Sequence, residues 1–251
     1  MLAEERRQEI LNIVNIKGSV HVSDLSIKMN VTEETIRRDL ETLDQQQLLK
    51  RTHGGAVALE NNRLELSFNL RKDKNSGQKK EIAQKAISLI NPGDTIFMDA
   101  SSTSLYLARE LVNMDHITII TNSIGIMFTL AENKNINIIS TGGTLRPHSL
   151  SFVGPLTNET IDKYFADKIF ASCKGISPEH GATDSNELEI EVKKKMVKQS
   201  QQVIILADNS KFSQVGLSQF ATTNQLDYLI TNKMVDQNII EKYHDFNIEI
   251  I

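Results

Sequence analysis

The sequence predicts two domains of different class: a mostly helical winged helix-turn-helix with a β-hairpin wing, then an α/β domain built on a parallel sheet. Three patterns predict it. Residues 31–43 read as an amphipathic helix fit to enter a DNA groove, residues 48–58 read as a hairpin with a basic tip, and from residue 95 onward short apolar strands alternate with helical segments.

The first helix covers residues 3 to 15 and turns Ile10, Leu11 and Val14 to one side, with Gly18 ending the loop after it. A short second helix over 23–29 has Ser23 as its cap and Val22, Leu25 and Met29 as its apolar side, and Asn30 tolerates the left-handed turn that follows. In the third helix Ile36, Leu40 and Leu43 recur at i, i+4 and i+7 and form the buried stripe. Thr32, Thr35, Arg38 and Thr42 then lie opposite, with Arg37 on the flank. Thr32 caps the helix, and Glu33 and Glu34 suit the positive end of its dipole.

Such a face fits a major groove about 12 Å wide, where Arg pairs with guanine edges or phosphates and Thr meets a base or the backbone. Downstream, two short strands flank Gly54-Gly55, so that Lys50, Arg51, His53 and Gly54 sit at or beside the tip of a wing. The module predicted to contact DNA is therefore residues 1–58. Residues 59–76 turn polar, with Asn61-Asn62 and Arg71-Lys72-Asp73-Lys74, and are expected to connect it to a second domain at 77–251.

In that second domain a helix at 78–90 ends in Asn91-Pro92-Gly93. Strands follow at 95–98, 117–120, 136–139, 168–172, 203–206 and 228–230. After the strands come polar clusters: Asp99-Ala100-Ser101-Ser102-Thr103, Thr121-Asn122-Ser123, Ser140-Thr141-Gly142-Gly143, Lys174-Gly175 and Asp208-Asn209-Ser210-Lys211. All of them fall at the carboxyl edge of one sheet, where open α/β sheets bind ligands. Ser101, Ser102 and Thr103 offer hydroxyls and backbone N–H groups to an anion, and Gly142 and Gly143 permit close backbone approach. Thr121 and Asn122 add polar side chains, Lys211 a cation, and Asp99 and Asp208 acceptors for ligand hydroxyls. Residues 180–184 are expected to form a lid loop, and 187–195 a helix whose acids and bases complement its dipole.

Composition narrows the function. The chain has 251 residues and a formal charge of −4, and residues 1–58 hold eight Lys and Arg against nine Asp and Glu. A generally basic nucleic-acid coat is excluded, which leaves a local basic face and points to a homodimer or homotetramer that combines several modules. The one cysteine, Cys173, lies in an apolar strand and is read as packing. No run approaches the roughly 18 apolar residues of a membrane span, and the charged start is unlike a signal peptide, so a cytoplasmic protein without membrane contact is expected. The six His residues show no paired metal-ligand spacing and no nucleophile elbow occurs. No metal, cofactor or catalytic residue is predicted, and the chain is not read as an enzyme.

The run Arg6, Ile10, Leu11, Gly18, Val20, Val22, Leu25, Val31, then Thr35-Ile36-Arg37-Arg38-Asp39-Leu40, Leu43, Leu48 and Arg51-Thr52-His53-Gly54-Gly55-Ala56 closely resembles the DeoR family of bacterial transcriptional repressors. The resemblance implies a DNA-binding role for Thr35, Arg37, Arg38, Arg51 and His53. It also implies a C-terminal domain similar to ribose-5-phosphate isomerase that binds a phosphorylated sugar through a D-x-[SG]-[ST]-T loop and a D-x-S-K segment. Here these are Asp99 to Thr103 and Asp208 to Lys211. Where the family has a glycine-rich segment after the fourth strand, this chain reads Ala171-Ser172-Cys173-Lys174-Gly175, so that wall departs from the pattern. The expected protein is a repressor of a carbohydrate-use operon that binds double-stranded operator DNA under control of a sugar phosphate. The alternative is an isomerase-like enzyme with an appended DNA-binding module.

Overall fold

The computed structural model describes residues 2–46, 48–57 and 67–251. The chain divides into two compact units, Met1–Asn61 and Asn62–Ile251.

In the first unit α1 (Ala3–Lys17) stops at Gly18, whose φ of 79° suits a residue without a side chain. Then follow β1 (Ser19–His21), α2 (Val22–Met29), α3 (Glu33–Gln45), β2 (Lys50–Thr52) and β3 (Gly55–Val57). The core is made by Ile10, Val14, Leu25, Ile36, Leu40, Leu43 and Leu49, so the predicted stripe of α3 is the buried one. Two local expectations are corrected. Helix α2 begins at Val22 after His21, so Ser23 lies inside the helix and is not its cap. The wing turns at His53-Gly54, and Gly55 belongs to β3, the middle strand of the order β1-β3-β2. A Cβ on Gly55 would stand 1.8 Å from the Val20 carbonyl oxygen, so the third strand can close on β3 only because this residue is glycine.

Residues 59–66 of the expected connection, with residue 58 before them, lie outside the described residues. The rest of that polar run is not a linker: α4 (Phe68–Asp73) and the start of α5 (Ser76–Ala86) occupy it. Burial of Phe68 and Leu70, and donation by the Phe68 N–H to the His148 carbonyl at 2.8 Å, hold it to the domain. The chain continues through β4 (Thr95–Met98), α6 (Ser102–Leu111), β5 (Ile117–Thr121), α7 (Ile124–Leu130), β6 (Ile136–Ser140), β7 (Thr144–Arg146), β8 (Ser151–Val153) and α8 (Pro155–Ile161). Then come β9 (Ala166–Ser172), β10 (Gly175–Ser177), β11 (Gly181–Asp184), α9 (Glu187–Lys198), β12 (Ser200–Leu206), β13 (Ser218–Ala221), β14 (Tyr228–Ile230), α10 (Gln237–Glu241) and β15 (Glu249–Ile250).

Seven strands form one parallel sheet in the order β15-β14-β12-β9-β4-β5-β6. It is covered on both faces, which is why its strands read as continuous apolar runs: Phe97, Ile169 and Ile205 belong to one core cluster, and Ile96, Phe170 and Ile204 to the other. The strand order reverses between β4 and β9, the topological switch point where such sheets take ligands. Two small antiparallel sheets, β7-β8 and β10-β11-β13, stand apart from the main one. The second corrects the lid expected at 180–184: Gly181–Asp184 is a strand whose Gly181, Ala182 and Thr183 are buried. Gly181 is packed so closely that a Cβ would meet the Ala221 carbonyl at 2.2 Å.

Candidate functional site

In the first unit α3 presents the side chains selected above. Thr32 caps it, its hydroxyl accepting from the Thr35 N–H at 3.3 Å. Arg37 pairs with Glu33 at 2.6 Å and Arg38 with Glu34 at 3.4 Å, and the Arg38 side chain is 78% exposed. Lys50, Arg51, His53 and Gly54 are exposed on the wing, while Thr35 is half-buried. Asp39, on the inner side of the same helix, was not singled out from the sequence. Arg6 donates to it at 2.6 Å and Arg7 stands 3.7 Å away, so this buried carboxylate ties the helix to α1.

In the second unit a cavity of about 110 Å³ opens over the switch point. Ser101, Ser102 and Thr103 reach it from the end of β4, Ser172, Cys173 and Lys174 from β9, and Asp208, Ser210 and Lys211 from β12. Arg71, Lys74, Asn75 and Lys79 close it from α4 and α5, and Asp184, Ser185 and Lys193 complete the wall. Asn75 adopts a left-handed backbone (φ 55°), and its amide donates to Asp208 at 3.2 Å and to the Ser210 hydroxyl at 3.3 Å. Lys79 donates to the carbonyls of Arg71 and of Lys74, the latter at 2.6 Å, which fixes the bend between α4 and α5.

Lys193 stands 2.5 Å from Asp184 and 2.9 Å from Asp99, and donates to the Ser172 carbonyl at 2.6 Å. Asp99 also accepts from the Ser172 N–H at 3.1 Å and from the Ser104 hydroxyl. Its carboxylate thus braces the floor of the cavity and is already occupied.

The electrostatics are those of crowded cations. Burial first, then Lys211, lowers Lys74 below the ordinary lysine range. Lys79 is lowered to about 8 by burial and by Lys211, against the pull of Asp208. Lys174 is lowered to about 8 by burial, then by Lys211 and Lys74. The Cys173 thiol is pushed by burial up to about 12, which suits packing and not nucleophilic chemistry.

Of the residues selected from the sequence, Ser101, Ser102, Thr103, Asp208 and Lys211 line the cavity, with Asp99 beneath them. Thr121, Asn122, Gly142 and Gly143 do not. The Thr121 hydroxyl donates to the Met98 carbonyl at 2.7 Å, the Asn122 amide donates to the Phe152 carbonyl at 3.0 Å, and the Gly142 carbonyl accepts from the Thr157 hydroxyl at 2.6 Å. Gly143 packs on α8, where a Cβ would meet the Thr157 hydroxyl at 2.1 Å. Strand order explains the difference: β5 and β6 lie one and two strands beyond β4, away from β9, at about 4.8 Å per strand. The sequence reading missed Arg71, Lys74, Asn75, Lys79 and Lys193. The first three fell in a run read as a connection, where Phe68 and Leu70 were the available sign of a packed helix.

A winged helix-turn-helix followed by a doubly covered parallel sheet with a cationic pocket at its switch point defines a two-unit regulator of transcription. The chain belongs to the DeoR family: residues 6–62 match the DeoR-like helix-turn-helix domain and residues 74–233 the DeoR C terminal sensor domain. It is 41% identical over 250 residues to YulB of Bacillus subtilis (strain 168), named an uncharacterized HTH-type transcriptional regulator, covering 100% of this chain and 96% of the relative. The HTH-type transcriptional repressor GlcR of the same organism is 34% identical over 251 residues, covering 100% of this chain and 96% of the relative. The L-fucose operon activator of Haemophilus influenzae (strain ATCC 51907 / DSM 11121 / KW20 / Rd) is 35% identical over 238 residues, covering 95% of each. Among solved structures, ribose 5-phosphate isomerase A of Methanocaldococcus jannaschii is 18% identical, with a TM-score of 0.41 over 55% of each chain. The three relatives, YulB, GlcR and the L-fucose operon activator, are named as regulators and not as enzymes. Among the described residues no helix is long and apolar enough to cross a membrane.

Proposed function

We propose that this protein is a cytoplasmic repressor of a carbohydrate-use operon, in which residues 1–58 bind operator DNA and a phosphorylated sugar held in the pocket of the second unit changes the affinity. The observation that carries the effector half is the pocket: six cations, two of them lowered to about 8, stand beside the start of α6, whose N–H groups favour an anion. Asp208 and the hydroxyls of Ser101, Ser102 and Thr103 supply partners for sugar hydroxyls. The Haemophilus relative's name ties it to a sugar operon, which supports the same class of effector here.

Arg71, Lys74 and Asn75 give the reading a route, because they belong to the first described segment after the connection to the DNA-binding module. Ligand contacts there bias whichever arrangement of the two units that segment permits. A net-acidic module of this size makes few phosphate contacts, so the acting species is a homodimer or homotetramer on two related half-sites. The test is a thermal-shift screen with phosphorylated and free sugars, since a ligand of the native state raises its stability by mass action. Stabilisation by phosphorylated sugars, with a change in operator affinity for the same compounds, is the expected result. Equal effects of free and phosphorylated sugars refute it.

A further inference from the structure

We infer that the edge of the main sheet at β6 is the surface through which two copies of this chain pair about a two-fold axis. The inference rests on the homodimer or homotetramer of the reading above and names the face that makes it.

The first observation lies in the sequence. From Ile117 to Asn158 the charged residues are Glu132, Lys134 and Arg146, although 24% of the whole chain is charged and a span of that length would ordinarily hold about ten. Arg146 is taken up by Glu189 at 2.7 Å, and Glu132 and Lys134 lie in the turn between α7 and β6. The span builds β5, α7, β6, β7, β8 and the start of α8, the end of the sheet that β6 closes. The core of a protein interface is depleted of charge relative to the rest of the surface. A neutral face suits a second copy in particular, because a two-fold axis sets the patch against itself, where a cluster of one sign would repel its own image.

The two edges of the sheet also differ. β15 ends one side and is two residues long, a short edge that resists pairing. β6 ends the other with the sequence Ile-Asn-Ile-Ile-Ser and, among the described residues, pairs with β5 alone. It has no Pro, no Lys and no bulge to blunt it. A copy of β6 laid antiparallel against it satisfies the outward N–H and C=O groups of both strands and closes the pairing at two chains.

Exposed apolar side chains stand on the elements that flank this edge. Phe128 is 80% exposed on α7, Leu145 is 43% exposed on β7 and Leu156 is 57% exposed at the start of α8. Leu156 lies against the turn just past β6, where a Cβ on Gly142 would stand 3.9 Å from it, and Leu145 pairs across its hairpin with the half-buried Phe152. Together the three leave about 300 Å² of apolar surface in water, counting about 200 Å² for a whole aromatic side chain and somewhat less for leucine. A standard interface takes about 800 Å² from each partner, a little over half of it apolar. The partly exposed Ile138, Ile139 and Phe152 supply the difference, so the face has the area a stable pair needs. Pairing here leaves the pocket open, since β4 and β9 lie two and three strands inside the edge.

The test is the mass of the full chain in solution by light scattering and sedimentation, for the wild type and for Phe128→Glu and the double variant Leu145→Glu/Leu156→Glu, each confirmed folded by circular dichroism. The expected result is a wild-type dimer or tetramer and variants whose dissociation, to monomers or from tetramer to dimer, is about tenfold easier or more. Phe165→Glu is the control: Phe165 is 79% exposed just before β9, and its variant should keep the wild-type mass. A second measurement needs no destabilised variant. Asn137→Cys, at an exposed position of β6, should give a covalent dimer with a short bismaleimide, while the buried Cys173 does not compete. Assembly that survives in the Glu variants, with no crosslink at position 137, overturns the inference and leaves the homodimer reading standing. Dissociation by Phe165→Glu alone overturns it as well and moves the interface elsewhere. A wild-type chain that is monomeric at micromolar concentration, free and on operator DNA, overturns both and leaves this face to a different protein.

Discussion

The Lys193 ammonium, on α9, lies 2.9 Å from the Asp99 carboxylate at the end of β4, and this contact is 1% exposed on the Asp99 side. It joins the helix to the strand beneath the cavity, with Asp184 as the second acid at 2.5 Å. Replacing Lys193 by Met leaves two buried carboxylates without their cation, so unfolding in urea should show a loss of about 3 to 5 kcal/mol. The acid limb should move too. Burial pushes the Asp184 carboxyl up, but the charge and hydrogen bond of Lys193 hold it below its usual 3.8. The stability this supplies is present above that value and lost as pH falls through the lowered one. In Lys193→Met this acid-labile contribution is gone and burial alone raises the carboxyl, so acidification should relieve part of the defect and not add to it; an acid limb identical to wild type would contradict the assignment.

On the DNA-binding side, Arg38→Ala should weaken operator binding by about 1 to 3 kcal/mol if the side chain reads a base. Its exposed pairing with Glu34 is worth little by itself, so the change should leave folding almost untouched. Arg51→Ala in the wing should instead weaken all sequences alike and flatten the salt dependence, as for a phosphate contact. Gel shifts at several salt concentrations separate the two behaviours. Wild-type affinity for a folded Arg38→Ala protein would refute the base contact.

Much of this layout was legible in the sequence because it depends on local rules. The i, i+4, i+7 stripe of α3 and the apolar parallel strands read directly, since each element's face is set by its own residues. What could not be read is what depends on order across the sheet. Gly142 and Asp208 both follow strands, and only the neighbours of those strands decide that Asp208 faces the cavity and Gly142 packs under Thr157. Arg71 and Lys74 were hidden for a related reason: a six-residue helix with two buried apolar residues looks polar in sequence. The strand at Gly181–Asp184 looked like a loop because its hairpin partner β10 is only three residues long and its other partner, β13, is distant in the chain.

Proton uptake should accompany effector binding near pH 8. Lys79 and Lys174 fall from an ordinary 10.5 to about 8, so near pH 8 each is about half charged. Below pH 8 both the folded and unfolded chains are protonated there, and the penalty of burying the charges is present in full. It is relieved as pH rises toward 10.5, where the unfolded chain still binds the protons that the folded one has released. An anion raises both groups again, so binding takes up protons and affinity declines as pH rises above 8. Calorimetry in two buffers of different ionisation enthalpy reads the uptake directly; identical heats in both would rule it out.

The switch itself is tested at Lys211 and Asn75. Lys211 is the cation that Lys74, Lys79 and Lys174 all feel, and Asn75 ties the α4–α5 bend to Asp208 and Ser210 on the far wall. Removing the first should take away ligand affinity, while removing the second should loosen the tie between the pocket and the segment leading to the DNA-binding module. Lys211→Ala should therefore keep operator affinity near wild type and lose the response to the sugar phosphate, which in a cell is permanent repression. Asn75→Ala should still bind the ligand but transmit less of the coupling, which for such regulators amounts to about 1 to 3 kcal/mol. Operator affinity with and without saturating effector gives that coupling for each folded variant. A Lys211→Ala protein that responds at the wild-type ligand concentration removes Lys211 from the site. An Asn75→Ala protein with undiminished coupling removes the α4–α5 segment from the route.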